Sequence, residues 1–335
     1  MKKLILPLIT ILGLSTAVNA QYKTIGKIHV YDESVKTLID PTTPIEILAE
    51  GYTWSEGPVW VKKGNYLLFS DVPENKIYQW TAEKGAVLFL TPSGYSGKEY
   101  YSYEPGANGL IINQKGNLVS AEHGNRRIAE MPLGKPELKK SMTGLWEGKK
   151  LNSPNDVIQA KNGDYYFTDP PYGLPGRGKE EPAKELAYQG VYRISKKGEL
   201  SLQYDKMARP NGLAMNIDES VLYVGSSEPK ESHILAFPVD KKGNLGEPSV
   251  FFDAAELAKQ GIRGGYDGMK LDSKGNIWTT GPGGILIISP AGKLLGRIET
   301  GNPNSNVNFG EDGSSLFITS KMNLLRVKTK TKGLK

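Results

Sequence analysis

The chain has 335 residues and no cysteine. That absence removes disulfides, thiolate zinc sites, iron–sulfur clusters and cysteine nucleophiles. Histidine is almost missing as well: only His29, His123 and His233 occur, which argues against an all-histidine metal site. There is no Gly-x-Ser-x-Gly elbow, since Gly94-Tyr95-Ser96-Gly97 has the wrong spacing. A phosphate-binding loop, a dinucleotide fingerprint, a His-Glu-x-x-His pair and an EF-hand loop are also lacking. Long helical patterns are scarce; only Phe252 to Gln260 and Glu180 to Tyr188 read as short helices. Glycine and proline, by contrast, are abundant. They account for 60 of the 335 residues, about 18% against roughly 12% in an average chain. With 38% hydrophobic and 23% charged residues, this is a folded, turn-rich chain and not a helical bundle.

The one long apolar run opens the chain. Lys2 and Lys3 precede Leu4 to Leu14, and the run ends at Ala17-Val18-Asn19-Ala20, small residues of the kind a signal peptidase reads. The pattern predicts a signal peptide over 1–20 and a secreted or periplasmic protein. The run is short for a span of about 30 Å, and without cysteine no lipoprotein anchor can form. Two of the 42 basic residues lie in this leader, so the remaining chain carries +4 rather than +6. Part of that charge sits in Lys328, Lys330, Lys332 and Lys335, a basic tail over 328–335 that reads as solvated and frayed. No basic stripe interleaved with aromatics accompanies it, so neither a nucleic-acid partner nor a membrane anchor is expected.

Between these ends the sequence repeats itself. Glu56-Gly57-Pro58-Val59-Trp60 leads through Lys63-Gly64-Asn65 to Tyr66–Asp71. Asn108-Gly109-Leu110 leads through Lys115-Gly116-Asn117 to Leu118-Val119-Ser120, and Asn155-Asp156-Val157 through Asn162-Gly163-Asp164 to Tyr165–Asp169. Three further copies begin at Asn211, Asp267 and Asn306, and the six starts lie 52, 47, 56, 56 and 39 residues apart. The turns carry Gly and Asn, which tolerate positive φ and suit hairpins. Strand, turn and strand at this period predict an all-β, six-bladed β-propeller over 44–327. A 21–43 extension precedes it. Pro44 to Leu48 should lend a strand to the last blade and close the ring. Gly173 to Gln189, rich in Gly, Pro and charge, reads as an insertion within a blade that covers one end of the channel.

Equivalent positions in a propeller lie at equivalent points around the axis. The anchors Glu56, Asn108, Asn155, Asn211, Asp267 and Asn306 should therefore converge on the central channel. Two carboxylates and several amide carbonyls form a hard, all-oxygen donor set, suited to Ca²⁺ or Mg²⁺ and acceptable to Mn²⁺ or Zn²⁺ with added water.

The stretches Ser55–Trp60, Ser153–Val157, Thr168–Gly173, Arg209–Ala214 and Tyr266–Met269 resemble, in order, motifs of the gluconolactonase / senescence-marker-protein-30 family. The resemblance spans about residues 45 to 325 and implies a six-bladed propeller. It implies that Glu56, Asn155, Asn211 and Asp267 are metal ligands and that Asp267 is also the general base or nucleophile. It places Asn108 and Asn306 nearer the substrate. His123, in a His-Gly stretch of the bacterial branch, would contact substrate or assist proton transfer, and Tyr172 would stack on or hydrogen-bond a sugar ring. The implied reaction is opening of a sugar lactone to an aldonic acid, with one divalent ion, Ca²⁺ first, polarising the carbonyl. An esterase or phosphotriesterase on the same site, and a non-catalytic ligand-binding propeller, are the alternatives. Propellers of this kind are expected to be monomers, and export points to carbohydrate breakdown outside the cytoplasm.

Overall fold

The structure is a computed structural model that describes residues 22–179, 184–228 and 230–334. The leader expected over 1–20 lies outside them. Among the described residues the strands form six antiparallel sheets, the blades of a propeller. The first blade runs Ser55–Val61, Tyr66–Asp71, Lys76–Thr81, Gly85–Leu90, and the second starts at Ala107–Ile112. The innermost strands of the next four are Val157–Gln159, Pro210–Met215, Met269–Leu271 and Asn306–Gly310. These inner strands touch one another in turn and complete the circle.

Local chemistry sets the hairpins. Asn113 Oδ1 accepts the amides of Lys115 and Asn117 at 3.0 and 2.9 Å, and Asp272 Oδ1 does the same for Lys274 and Asn276, each at 2.9 Å. Gly116 and Gly275 supply the left-handed residue these turns need, at φ 79° and 84°. In blade 1 the duty falls to Asn65 (φ 52°) instead of Gly64.

Closure is more extensive than the sequence implied. Ile45–Glu50 pairs with Asn323–Lys328 as the expected outer strand of blade 6. The 21–43 extension is itself part of the propeller. Thr24–Ile25 adds a fifth strand to blade 6, and Lys27–Val30 adds one to blade 5. Gly26 makes the step between them at φ 69°, where a Cβ would lie 1.9 Å from the Glu299 carbonyl oxygen. Val35, Leu38 and Ile39 then bury against both blades.

The tail expected to fray is tied down, which corrects that reading. Lys330 N donates to Leu38 O at 2.7 Å, Leu334 N to Leu271 O at 2.9 Å, and Thr331 is buried. The side chains of Lys328, Lys330 and Lys332 stay outside; the backbone, invisible to a composition argument, finds partners in blades 5 and 6. The helix read over 252–260 is shorter, Ala255–Lys259, because Ser249–Asp253 pairs as the outer strand of blade 4. Of the second, 184–188 is not helical and 180–183 lies outside the described residues.

Glycine beside the anchors answers to crowding. A Cβ on Gly57 would meet the Asn108 carbonyl oxygen at 2.1 Å, and one on Gly212 would meet that of Asp267 at 2.0 Å. Gly212→Ala should therefore lower the unfolding free energy by at least about 3 kcal/mol, since both colliding partners are backbone. Gly116→Ala, in open space but at positive φ, should cost about 1–2 kcal/mol. Urea unfolding of the two variants checks the order, and equal losses would contradict the crowding account.

Candidate active site on the propeller axis

The anchors lie where the inner strands leave their ladders. Register breaks between Glu56 and Val59, between Ala107 and Leu110, and between Pro210 and Leu213. In blades 3 and 5, Asn155 and Asp267 precede the first paired residue, Val157 or Met269. Released from the pleat, these residues are re-aimed while their backbone is held by hydroxyls. Ser70 Oγ donates to Asn108 O at 2.9 Å and Thr168 Oγ1 to Asn211 O at 2.8 Å, each reaching into the following blade. Thr280 Oγ1 accepts the Asp267 amide at 2.9 Å.

Blade 6 departs from the expected phase. Gly109 N donates to Asn155 O and Gly268 N to Ser305 O, both at 2.8 Å, while Asn155 N and Ser305 N donate to Thr168 O and Thr319 O. Ser305 is thus the equivalent of Asn155. Asn306 matches Asp156 instead, and each side-chain Oδ1 accepts the following valine amide at 2.9 Å. The repeat of Asn at the start of the copy hid this one-residue slip.

Burial dominates the electrostatics. Glu56 and Asp156 are almost fully buried, and Asp267 is partly exposed with its Oδ1 buried. Loss of hydration, opposed by the Gly57 amide and reinforced by the Asp156 charge, pushes Glu56 up to about 8. Asp267 is raised well above the carboxylate range by burial, then by Glu56, Asp156 and Glu104, while the Asn211 amide favours its charged form. Burial also raises Asp156, against the pull of Lys270. Among the described residues no three acidic or histidine groups close into one metal cluster. The carboxyls stand around the axis and suppress one another's ionisation.

The donor set nevertheless fits a hard cation. Asn108 Oδ1, Asp156 Oδ2, Asn211 Oδ1 and Asp267 Oδ1 are buried without a hydrogen-bond partner. Orphaned oxygens beside mutually repelling carboxyls are the condition a divalent ion would relieve.

His123 lies behind Asn108. It is fully buried, with Nδ1 3.1 Å from Glu104 O and Nε2 3.3 Å from Asn108 Nδ2. A carbonyl can only accept, so Nδ1 carries the proton and Nε2 accepts from Asn108, whose Oδ1 is thereby left free. His123 has no free nitrogen for substrate; it positions Asn108. Tyr172 is at the edge of the site, its hydroxyl 2.5 Å from Ser227 Oγ, with the Arg177 and Arg209 guanidinium carbons 5.9 and 6.0 Å from its ring centre. Within the 173–189 insertion, Gly173 lies against His123 and Arg177 pairs with Glu104 at 3.0 Å, so its described part borders the site. Asp156, Glu104, Lys270 and Arg177 had gone unassigned. Asp156 was legible as the residue beside an anchor and Lys270 lies in the inner strand of blade 5, whereas Glu104 and Arg177 come from positions outside the repeat.

A six-bladed propeller with an all-oxygen axial site defines the class. Residues 54–322 match the family model described as the SMP-30/Gluconolactonase/LRE-like region. The chain is 41% identical over 321 residues to the gluconolactonase of Zymomonas mobilis, covering 94% of this chain and 89% of that protein. A solved gluconolactonase from Xanthomonas campestris superposes with a TM-score of 0.78 at 28% identity, covering 93% of this chain and 99% of the other. The fold also matches a regucalcin from Agrobacterium tumefaciens, described as calcium-binding, with a TM-score of 0.68 at 17% identity, over 86% and 94% of the two chains. The chain belongs to the SMP-30/gluconolactonase family.

Burial holds His123 neutral, lowering it to about 4 from 6.5. Its folded value lies below the unfolded one, so the unfolded chain binds the proton first, and stability present above pH 6.5 is lost as pH falls toward 4. At pH 5 the loss is about 2 kcal/mol. His123→Gln should remove that part of the acid sensitivity, which thermal melts at pH 7 and pH 5 measure; an unchanged acid loss would contradict the burial of this group.

Proposed function

We propose that the protein is a gluconolactonase-like lactonase that opens the ring of a sugar lactone to the aldonic acid, with a divalent cation held at the axis. Two things support this reading: membership of the family together with 41% identity to a gluconolactonase, and the buried, unpartnered Oδ1 of Asp267 at the entry end of the inner strands. The second observation carries the chemistry. An oxygen with no internal partner is free to act on a proton or on an acyl carbon.

Glu56, Asn155, Asn211 and Asp267 would hold the ion, with Ca²⁺ first among the candidates, as in the regucalcin described as calcium-binding. When bound, such an ion supplies Lewis-acid polarisation of an ester carbonyl. The remaining work belongs to the chain. Asp267 accepts a proton from the attacking water at Oδ1, or attacks itself; either role needs the carboxylate form, which the Asn211 amide favours. Asn108, fixed by His123, presents Oδ1 to a substrate hydroxyl. Tyr172 lines the mouth, where its ring suits the apolar face of a sugar. The buried side chains of Glu56, Asn108 and Asn211 exclude bulk water from the reacting centre. We further propose that this chemistry takes place outside the cytoplasm, on the strength of the leader pattern in residues 1–20.

Lactone hydrolysis followed by pH-stat tests the reading. D-glucono-1,5-lactone should be opened in the presence of Ca²⁺, and EDTA should abolish the rate. Asp267→Asn should reduce kcat by at least about 10²-fold with the fold intact by circular dichroism. A rate equal to that of the unsubstituted chain would remove Asp267 from the chemistry. Failure on every aldonolactone, with metal present, would leave a binding propeller.

A further inference from the structure

Four of the six blades carry glycine directly after the anchor: Gly57, Gly109, Gly212 and Gly268. The other two, blades 3 and 6, are separated by half a turn of the ring, and they carry side chains there, Asp156 and Asn306. These side chains fill the space that Gly109 and Gly268 leave. A Cβ on Gly109 would lie 2.5 Å from Asp156 Oδ1, and one on Gly268 would lie 2.0 Å from Asn306 Oδ1. The Asn306 amide favours the charged forms of both Glu56 and Asp156.

Asp156 is 1% exposed, and only one of its oxygens is used locally. Oδ1 accepts the Val157 amide at 2.9 Å, whereas Oδ2 has no partner. A buried carboxylate oxygen left bare is expensive unless something positive meets it. Lys270 is a cation whose charge acts on Asp156, and its Nζ donates to the Met269 carbonyl at 3.0 Å. The charges can be counted. Glu56, Asp156 and Asp267 bring three negatives to the axis and Lys270 brings one positive. A divalent ion brings the sum to zero. Glu104, the next acid outward, is already matched by Arg177.

We propose that Asp156 is a third carboxylate of the axial cation site, its Oδ2 directed at the ion or at one water between them, with Lys270 as the fixed counter-charge. The inference rests on the cation reading under Proposed function. It extends the donor set to a residue that the repeat pattern passes over and makes the site neutral when loaded.

The test is calorimetric titration of the chain with CaCl₂ alone, after EDTA treatment and dialysis, with no lactone present. Asp156→Asn keeps the shape and removes the charge. It should weaken Ca²⁺ binding by about 10–100-fold, raise the Tm of the metal-free chain by relieving repulsion, and shrink the rise in Tm that Ca²⁺ produces. Lys270→Met leaves Asp156 in place and should tighten Ca²⁺ binding several-fold. Affinity within twofold of the unsubstituted chain in Asp156→Asn overturns the proposal. Should that variant not fold, unchanged or weaker affinity in Lys270→Met overturns it. If the unsubstituted chain binds neither Ca²⁺ nor, in the same titration repeated with each chloride, Mg²⁺, Mn²⁺ or Zn²⁺, the cation reading itself falls and this inference with it. If that chain binds and Asp156→Asn binds equally, only the role of Asp156 is lost.

Discussion

The close approach of the inner strands at one end of the axis is the constraint on which the rest depends. Six strands arriving at a common centre leave little space between one blade's backbone and the next. The chain meets this by breaking ladder register at the anchors and by placing glycine where a Cβ would strike the neighbouring carbonyl, as at Gly57 and Gly212. Hydroxyls from the second strands then cross to the following blade: Ser70 fixes that same Asn108 carbonyl, and Thr168 fixes the carbonyl of Asn211. The geometry that closes the ring is therefore also the geometry that turns polar side chains toward the axis. Fold and site are one packing solution.

That solution concentrates acidic groups where water is scarce. Burial raises the affinity of Glu56, Asp156 and Asp267 for protons, neighbouring carboxyls add to the rise at Glu56 and Asp267, and the amides of Asn211 and Asn306 offset only part of it. A protein gains nothing in stability from such a group; a core of the same volume built from apolar side chains would be the more stable choice. The arrangement makes sense as a site kept under electrostatic tension, relieved by the divalent ion that we propose. His123 shows the opposite device. It is buried and neutral, with both nitrogens engaged, and it contributes orientation without charge.

Much of this was legible in the sequence because it is local. Hairpins such as Asn113–Asn117 are written in residues that must adopt positive φ or cap their own turn, and six such signals at a steady period are enough to count blades. Legibility ended where the information is not periodic. The true phase of blade 6 could not be read because Ser305 carries the ladder role while the neighbouring Asn306 carries the resemblance to an anchor. Glu104 and Arg177 reach the site from loops with no repeat, and only the fold brings them to His123 and Tyr172. The tail misled for a related reason: four lysines dominate its composition, yet its backbone amides and carbonyls decide its place.

The absence of cysteine now has a structural counterpart. A ring is held at its seam, and here the seam is built from backbone pairing. Ile45–Glu50 completes blade 6, the segment before it stitches blade 6 to blade 5 through Gly26, and Thr329–Leu334 returns along the same two blades. The first and last described segments thus converge on one side of the propeller, blades 5 and 6, away from the insertion in blade 3. This division keeps the site face apart from the closure. Tyr172, Arg177 and Arg209 cluster at the site face away from this seam, while the seam, with Val35 and Ile39 buried beneath it, keeps the inner strands at the spacing on which the axial oxygens depend.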